Sequence, residues 1–299
     1  MGYRHTIFTA LGHRGFFNWL SDETYLKLAF YFIMHKKLHL ENPQTFNEKL
    51  QWLKLFYRKE ELTNLVDKYQ VYDYVRKKIG EEHLIPLIGV WDNPKEINWD
   101  LLPQRFVLKC THDSGGVFVV KNKDAVDKKN VLRLITKKLK INYFYGDREW
   151  PYKNVVPRII AQEFLEEDDN NSLKDYKFFC FNGKPKFMFI AKDREKGPKK
   201  TKFNFYDMNF NFLQIKNGHE NFTEQIKKPA QWDEMVDLAS KLSKDLPHVR
   251  IDFFISHNVV YFGEMTFYHF SGMVPFEPEI WDDILGKEIV LPKREHGAK

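Results

Sequence analysis

The sequence predicts an α+β fold in which two α+β subdomains face each other across a cleft, behind a helical N-terminal region. Three observations lead there. Helical patterning dominates the first eighty residues, later stretches alternate short apolar runs with turn residues, and an acidic polar break follows residue 165. Strands with helices segregated between them build such paired units, and a cleft between two units is where ligands collect.

The elements follow in order. Residues 1–41 form an N-terminal helical extension that mixes Phe8, Phe16, Phe17, Trp19, Tyr25, Phe30, Tyr31 and Phe32 with Arg4, Arg14, Lys27, Lys36 and Lys37. A helix packing its aromatic face on the body is the expected reading, and an interfacial anchor is the alternative. Residues 42–105 form an N-terminal α/β region. Its helical part, 42–79, opens with Thr45 as cap and Glu48 three residues on, the spacing of a capping box. After Gly80 come apolar runs at 84–90 and 106–110, separated by Asp92, Asn93, Pro94 and Pro103.

Residues 106–165 read as a lid subdomain: strand, glycine loop, strand at 117–121, basic helix at 127–139, strand at 159–164. Residues 166–299 form the C-terminal subdomain. It starts with a hairpin, 176–181 and 187–190, turned at Asn182 and Gly183. A strand at 202–206, a helix at 232–244 and a closing hairpin, 249–255 and 259–264 around Ser256, His257 and Asn258, complete it.

At 299 residues, 43% of them apolar and 16% aromatic, the chain has material for one large core or two to three small subdomains. The balance of 47 basic against 41 acidic residues leaves +6, which suits anionic ligands such as nucleotides or sugar phosphates and falls short of a nucleic-acid footprint. Cys110 and Cys180 stand far apart, which excludes a disulfide framework or a zinc cluster and points to a reducing cytoplasm. No apolar run approaches the roughly 18 residues of a membrane span, and the start lacks the pattern of a secretory signal, so the chain is expected to stay inside.

The chemistry concentrates in three places. Arg250 and Asp252 alternate on one strand, and Glu264 and Thr266 on the next, so each pair shares a face and two carboxylates converge. Paired oxygens of this kind suit magnesium completed by phosphates, and the arginine suits phosphate oxygens. A surface hairpin with cross-strand charge pairs is the alternative. The loop that follows carries Phe267, Phe270, Ser271, Gly272, Met273 and Pro275, where exposed backbone donors are expected to hold a reacting group.

Second, Lys109 ends a strand that leads into Ser114, Gly115 and Gly116, an ammonium and backbone donors for a triphosphate. It is no Walker sequence, and a plain turn is the alternative. Third, a buried strand ends at Glu163, Phe164 and Leu165 before the polar break, a natural adenine slot if it is not simply an acid facing water.

Taken together, these pieces resemble the ATP-grasp superfamily, and more closely its TupA-like branch, associated with teichuronopeptide and bacterial surface polysaccharides. The most specific stretches are 42–52 (Asn-Pro-Gln-Thr-Phe-Asn-Glu-Lys-Leu-Gln-Trp), 175–183 (Asp-Tyr-Lys-Phe-Phe-Cys-Phe-Asn-Gly), and Asp252, Phe253 and Phe254 through 263–267 (Gly-Glu-Met-Thr-Phe). The resemblance implies an ATP-grasp fold and an ATP-dependent carboxylate–amine ligase using ATP and Mg2+, two ions, through an acyl phosphate.

By that resemblance Lys68 and Lys109 face phosphates and Ser114, Gly115 and Gly116 close over them. Glu163 and Leu165 contact adenine, and Asp175 binds ribose. Lys177, Lys192 and Arg194 touch substrate or phosphate. Asp252 and Glu264 hold magnesium together with Thr266, Arg250 and Lys109 stabilise the transferring phosphoryl group, and Ser271 and Gly272 serve the oxyanion. One departure stands out: most ATP-grasp enzymes carry Glu-x-Asn at the last metal position, and this chain has Glu264, Met265, Thr266.

The implied substrates are a carboxylate, a uronic acid of a surface glycan or its precursor, and an amine or amino acid, with peripheral contact at the inner membrane face as a further expectation. His112, His248, His257 and His269 read as structural. A glycosyltransferase or other sugar-nucleotide enzyme, and a non-catalytic scaffold, are the competing readings. The chain has no Asp-x-Asp motif for the first, and Lys109, Arg250, Asp252 and Glu264 argue against the second.

Overall fold

A computed structural model describes residues 3–166, 173–193, 197 and 199–294. The chain starts with helices α1 (Tyr3–His13), α2 (Asp22–Met34), α3 (Phe46–Phe56), α4 (Glu61–Val66) and α5 (Val71–Ile79). Strands β1 (Leu87–Trp91), β2 (Phe106–Cys110) and β3 (Val117–Val120) follow, then α6 (Lys128–Leu139), a short α7 (Phe144–Asp147) and β4 (Ile159–Glu163). The remainder is β5 (Asp175–Phe181), β6 (Lys184–Lys192), β7 (Lys202–Asp207), β8 (Phe212–Leu213), β9 (Lys216–Asn217), α8 (Trp232–Ser243), β10 (His248–Ser256), β11 (Val259–Thr266), β12 (Phe276–Glu277) and α9 (Ile280–Glu288).

The strands form two main antiparallel sheets, ordered β1-β4-β2-β3 and β11-β10-β5-β6-β7-β8, plus the small ribbon β12-β9. In the first sheet Phe106, Leu108, Cys110 and Ile159 share a core with Val131 and Ile135 of α6. The polar residues of α6 face water, as an amphipathic surface helix requires.

The second sheet is covered on both faces, which is why β5 is buried along its whole length. Phe178 meets Trp232 of α8 at 5.4 Å on one face. Phe179 meets Phe46 of α3 at 6.1 Å on the other. Helix α3 opens with a capping box: Thr45 Oγ1 accepts the Glu48 N–H at 3.2 Å, and the Glu48 carboxylate accepts the Thr45 N–H at 3.2 Å and the Gln44 N–H at 2.9 Å. Lys49 of α3 donates to the last carbonyls of α9, at Gly286 (2.7 Å) and Ile289 (2.8 Å), the favourable place for a cation on a helix.

The β10–β11 hairpin carries one irregularity. Phe253 pairs with Phe262, whereas Asp252 pairs with Glu264, so Gly263 is an extra residue on β11, a β-bulge.

Three expectations need correction. The helical span 42–79 is three helices, broken at residues 57–60 and 67–70. The strand expected from residue 84 starts at Leu87, since Leu84 and Ile85 are core residues ahead of Pro86. The N-terminal aromatics divide: Tyr25 and Phe30 are buried and Phe8 stacks on Phe17 at 4.8 Å, but Phe16, Trp19, Tyr31 and Phe32 are exposed. Among the described residues no helix is long and apolar enough to cross a membrane.

Candidate active site

The ionic centre lies on the face of the second sheet turned away from α8. Arg250 and Thr266 are directly opposed in register, as are Asp252 and Glu264, and on the other edge of β10 Asp252 pairs with Lys177 of β5. Directly opposed residues point to the same side of a sheet, so the register alone assembles the cluster.

Asp252 is fully buried, at 0% exposure. Its Oδ1 accepts from Arg250 Nε and its Oδ2 from Arg250 Nη2, both at 2.7 Å, and Lys177 Nζ also donates to Oδ2. Burial alone would raise the Asp252 pKa, but Arg250 and Lys177 outweigh it and hold the carboxyl well below the usual range. Arg250 Nη2 reaches on to Glu264 Oε1 (3.1 Å) and Thr266 Oγ1 (3.0 Å). A single guanidinium therefore occupies the common focus of Asp252, Glu264 and Thr266.

Arg250 Nη1 bonds His269 Nδ1 at 2.8 Å, and His269 Nε2 bonds Asn217 Oδ1 at 2.8 Å. Arginine has only donors, so Nδ1 accepts, Nε2–H donates, and the ring is neutral. Burial and the neighbouring Arg250 charge push the His269 pKa well below its ordinary value, which keeps His269 in a structural role.

The oxygen set fits a hard cation, since it already converges on a positive charge. Among the described residues no group of three or more His, Cys, Asp or Glu is placed to hold a metal ion. A divalent ion at Asp252 and Glu264 would thus need Thr266 and oxygens from outside the chain, as magnesium completed by phosphates has.

The centre opens into a cleft of about 1330 Å³, whose lining includes Ser114, Lys177, Arg250, Glu264, Thr266 and Ser271 from the expected set. The other expected residues that the structure describes stand back from its walls.

The glycine loop is fastened at its base: Lys68 Nζ donates to the Asp113 carbonyl, and the Lys68 N–H to Thr111 O at 3.1 Å. Gly115 has φ +87°, which favours glycine, and a Cβ at Gly116 would stand 2.5 Å from Asp113 Oδ1, so a side chain there would push the Asp113 carboxylate aside. Lys109, on β2, lies opposite Val117 and Ile160. On the segment joining the sheets, Glu163 is exposed and its N–H bonds Pro86 O at 3.0 Å, while Leu165 is half-buried. Asp175 is buried and pairs with Lys177 at 2.7 Å. Lys192 pairs with Glu224. Arg194 lies outside the described residues.

The expectation for the Ser271 loop is corrected. Instead of exposed backbone donors, the Ser271 N–H is spent on Tyr268 O at 2.8 Å. The carbonyls of Ser271 and Gly272 both turn to Gln51 Nε2, at 3.0 Å each. A Cβ at Gly272 (φ +61°) would meet Gln51 Nε2 at 2.5 Å. The loop is locked onto α3.

The sequence reading missed what lies beneath that loop. Lys54 of α3, at 0% exposure, donates to Gln51 Oε1 (3.0 Å), Asp147 O (2.9 Å), Ser271 O (2.8 Å) and Ser271 Oγ (2.9 Å). Residues 141–158, for which the sequence offered no pattern, bring Tyr143, Asp147, Glu149 and Tyr152 into the cleft wall. The only hint was the run Glu149, Trp150, Pro151, Tyr152, unusually aromatic for a plain connection.

Residues 48–290 match the model of a family described as TupA-like ATPgrasp. No curated protein matches the chain. Among solved structures, it is similar to the D-alanine–D-alanine ligase from Bacillus anthracis complexed with ATP, at 13% identity and a TM-score of 0.40, covering 77% of this chain and 69% of that one. It is also similar to the D-alanine–D-alanine ligase from Helicobacter pylori, at 16% identity and a TM-score of 0.42 over 83% and 69% of the two chains. The ATP-grasp ligase PsnB complexed with minimal precursor stands at 10% identity and a TM-score of 0.41, over 71% and 55%.

Proposed function

Because the chain belongs to the TupA-like ATP-grasp family, we propose that it is an ATP- and Mg2+-dependent ligase that joins a carboxylate to an amine. The observation that carries this reading is the convergence of Asp252, Glu264 and Thr266 on one cation position, filled here by the Arg250 guanidinium, in a cleft that Ser114 of the glycine loop also lines.

Asp252, Glu264 and Thr266 would hold magnesium, and Arg250, released toward the nucleotide, would take phosphate oxygens. Magnesium bound there supplies countercharge for phosphates and for a transferring phosphoryl group. The protein's own part is position and charge. Lys177 keeps Asp252 ionised and His269 orients Arg250, while Lys68, Lys109 and the glycine loop are assigned to the phosphates by their places in the family. Glu163 and Leu165 receive the base and Asp175 the ribose. The carboxylate so activated is an acyl phosphate, open to attack by an amine.

Within this reading the carboxylate is a uronic acid of a bacterial surface polysaccharide or its precursor, and the amine an amino acid or amino alcohol. The site of action is the cytoplasm, supported by two buried, unbridged cysteines. Exposed Phe16, Trp19, Tyr31 and Phe32 support a peripheral contact with the inner membrane face.

Calorimetric titration with ATP, with and without magnesium, tests the reading on the wild type and on Glu264→Gln. Magnesium-dependent binding that the substitution weakens at least about tenfold is expected. Equal binding in the two proteins removes Glu264 from the metal site, and no binding under any condition removes the ligase reading.

A further inference from the structure

The cleft that exposes Arg250, Glu264 and Thr266 is walled on one side by residues 141–158, and the function proposed above leaves that wall without a task. Its chemistry is distinct from that of the phosphate-facing groups. Glu149 is only 5% exposed, yet it lines the cleft together with Tyr143, Asp147 and Tyr152.

The groups that face Glu149 come from four places: Lys54 of α3, Asp147 at the end of α7, Ser271 and Tyr268 of the loop after β11, and Arg250 of β10, with Tyr143 and Tyr152 from its own segment. Ser271 Oγ accepts from Lys54 at 2.9 Å and its hydroxyl faces Glu149, so one side chain lies between the buried cation and the buried anion.

Lys54 is satisfied without a carboxylate. Its three hydrogens are shared among four uncharged oxygens, from Gln51, Asp147 and Ser271. Glu149, which lines the cavity, balances that charge from across the serine. A carboxylate held this way is expensive to bury unless a cation completes it. The cleft offers that place to a ligand, since a substrate ammonium entering beside Tyr152 and Tyr268 would find the acidic side chains of Glu149 and Asp147 and a set of phenols.

Resting on the ligase reading, we infer that Glu149 receives the amine substrate, drawing its ammonium group into this end of the cleft and taking one proton from it. The step balances. The ammonium and the Glu149 carboxylate become free amine and carboxylic acid. The amine lone pair then forms the C–N bond to the acyl phosphate carbon while the C–O bond to phosphate breaks. Phosphate leaves with that electron pair and carries off the second nitrogen proton as hydrogen phosphate. Burial, against the opposing pull of Lys54, carries the Glu149 pKa up to about 7, and burial brings Lys54 down to about 8. An acid near neutrality is suited to accepting a proton and giving it up again each cycle.

Hydroxylamine separates this role from a structural one. Near neutral pH it is mostly uncharged, so it needs no proton removed before attack, whereas ethanolamine is almost wholly an ammonium ion. With MgATP and uronic acids such as glucuronate and galacturonate, Glu149→Gln is expected to lose at least about 100-fold more rate with ethanolamine than with hydroxylamine. Equal losses with the two nucleophiles, or none with either, overturn the inference and leave the ligase reading intact. Wild-type protein that forms no hydroxamate from any of these acids overturns the ligase reading, and the inference with it.

The pH profile of the wild type needs no variant. The rate with ethanolamine should rise through an apparent pKa near 7 that is missing from the hydroxylamine profile once free nucleophile is counted. Identical corrected profiles for the two nucleophiles refute proton transfer to Glu149.

Discussion

Acid should weaken this fold through one histidine more than through its surface. His248 sits at the start of β10 with its ring among Phe46 (5.1 Å), Phe179 (6.0 Å) and Phe181 (4.7 Å). Its Nδ1 bonds Cys180 O at 3.0 Å, and its Nε2 is buried with no hydrogen-bond partner. Burial, with Arg250 adding to it against the Cys180 bond, brings its pKa down to about 3.

An unfolded histidine takes its proton near pH 6.5, so below that value the unfolded chain binds a proton that the folded chain refuses. The contribution is complete above about pH 6.5 and is lost as pH falls toward the folded value. At roughly 1.4 kcal/mol per pH unit, moving from about pH 7 to about pH 4.5 removes about 2.5 kcal/mol through this residue alone. Urea unfolding at the two pH values, on wild type and His248→Phe, measures it. The phenyl ring fits the aromatic surroundings and cannot titrate, so the variant should lose about 2.5 kcal/mol less than the wild type. Equal losses in the two proteins would refute the assignment, because carboxylates such as Asp252 are common to both and cancel.

Two further predictions concern packing and the ionic centre. Gly286→Ala places a methyl group 2.2 Å from Gln44 O and 2.8 Å from the Phe46 N, all backbone at the α3–α9 contact, so urea unfolding should show a loss above about 2 kcal/mol; an unchanged midpoint contradicts that contact. Arg250→Met leaves Asp252 buried with Lys177 as its remaining cation, so the melting temperature should fall and MgATP-dependent turnover should drop at least about 100-fold. Turnover within a few-fold of wild type would show that the guanidinium serves only the fold.

The hairpin of the ionic centre was legible because period-two alternation is a local property: Arg250 with Asp252, and Glu264 with Thr266, can be read from adjacent residues. The capping box at Thr45 and Glu48 and the Asn182–Gly183 turn were legible for the same reason, each being a rule about residues within four positions. Lys54 was not. On α3 it looks like any surface lysine, and its burial depends on Ser271, 217 residues away in sequence. The Ser271 loop was misread through the same contact, since nothing in Ser271 and Gly272 reveals that their carbonyls will be met by α3. Glu149 lies between α6 and β4, where no period exists to read and only tertiary packing assigns a face.

The extra residue at Gly263 has a consequence for how this chain tolerates change. If Gly263 paired regularly opposite Asp252, Glu264 would fall opposite Ile251, on the side that packs against α8. With Gly263 outside the pairing, Glu264 falls opposite Asp252 and Met265 opposite Ile251, so the apolar positions switch parity between Phe262 and Met265. A strand's side chains invert with every single-residue slip. The oxygens of Glu264 and Thr266 thus reach the cleft because Gly263 stays out of the pairing: were the ladder to run on regularly with Gly263 opposite Asp252, every charged residue would be kept and Glu264 and Thr266 would still point into hydrocarbon. In this hairpin the facing of the site residues depends on how the strand is paired as much as on which residues it carries.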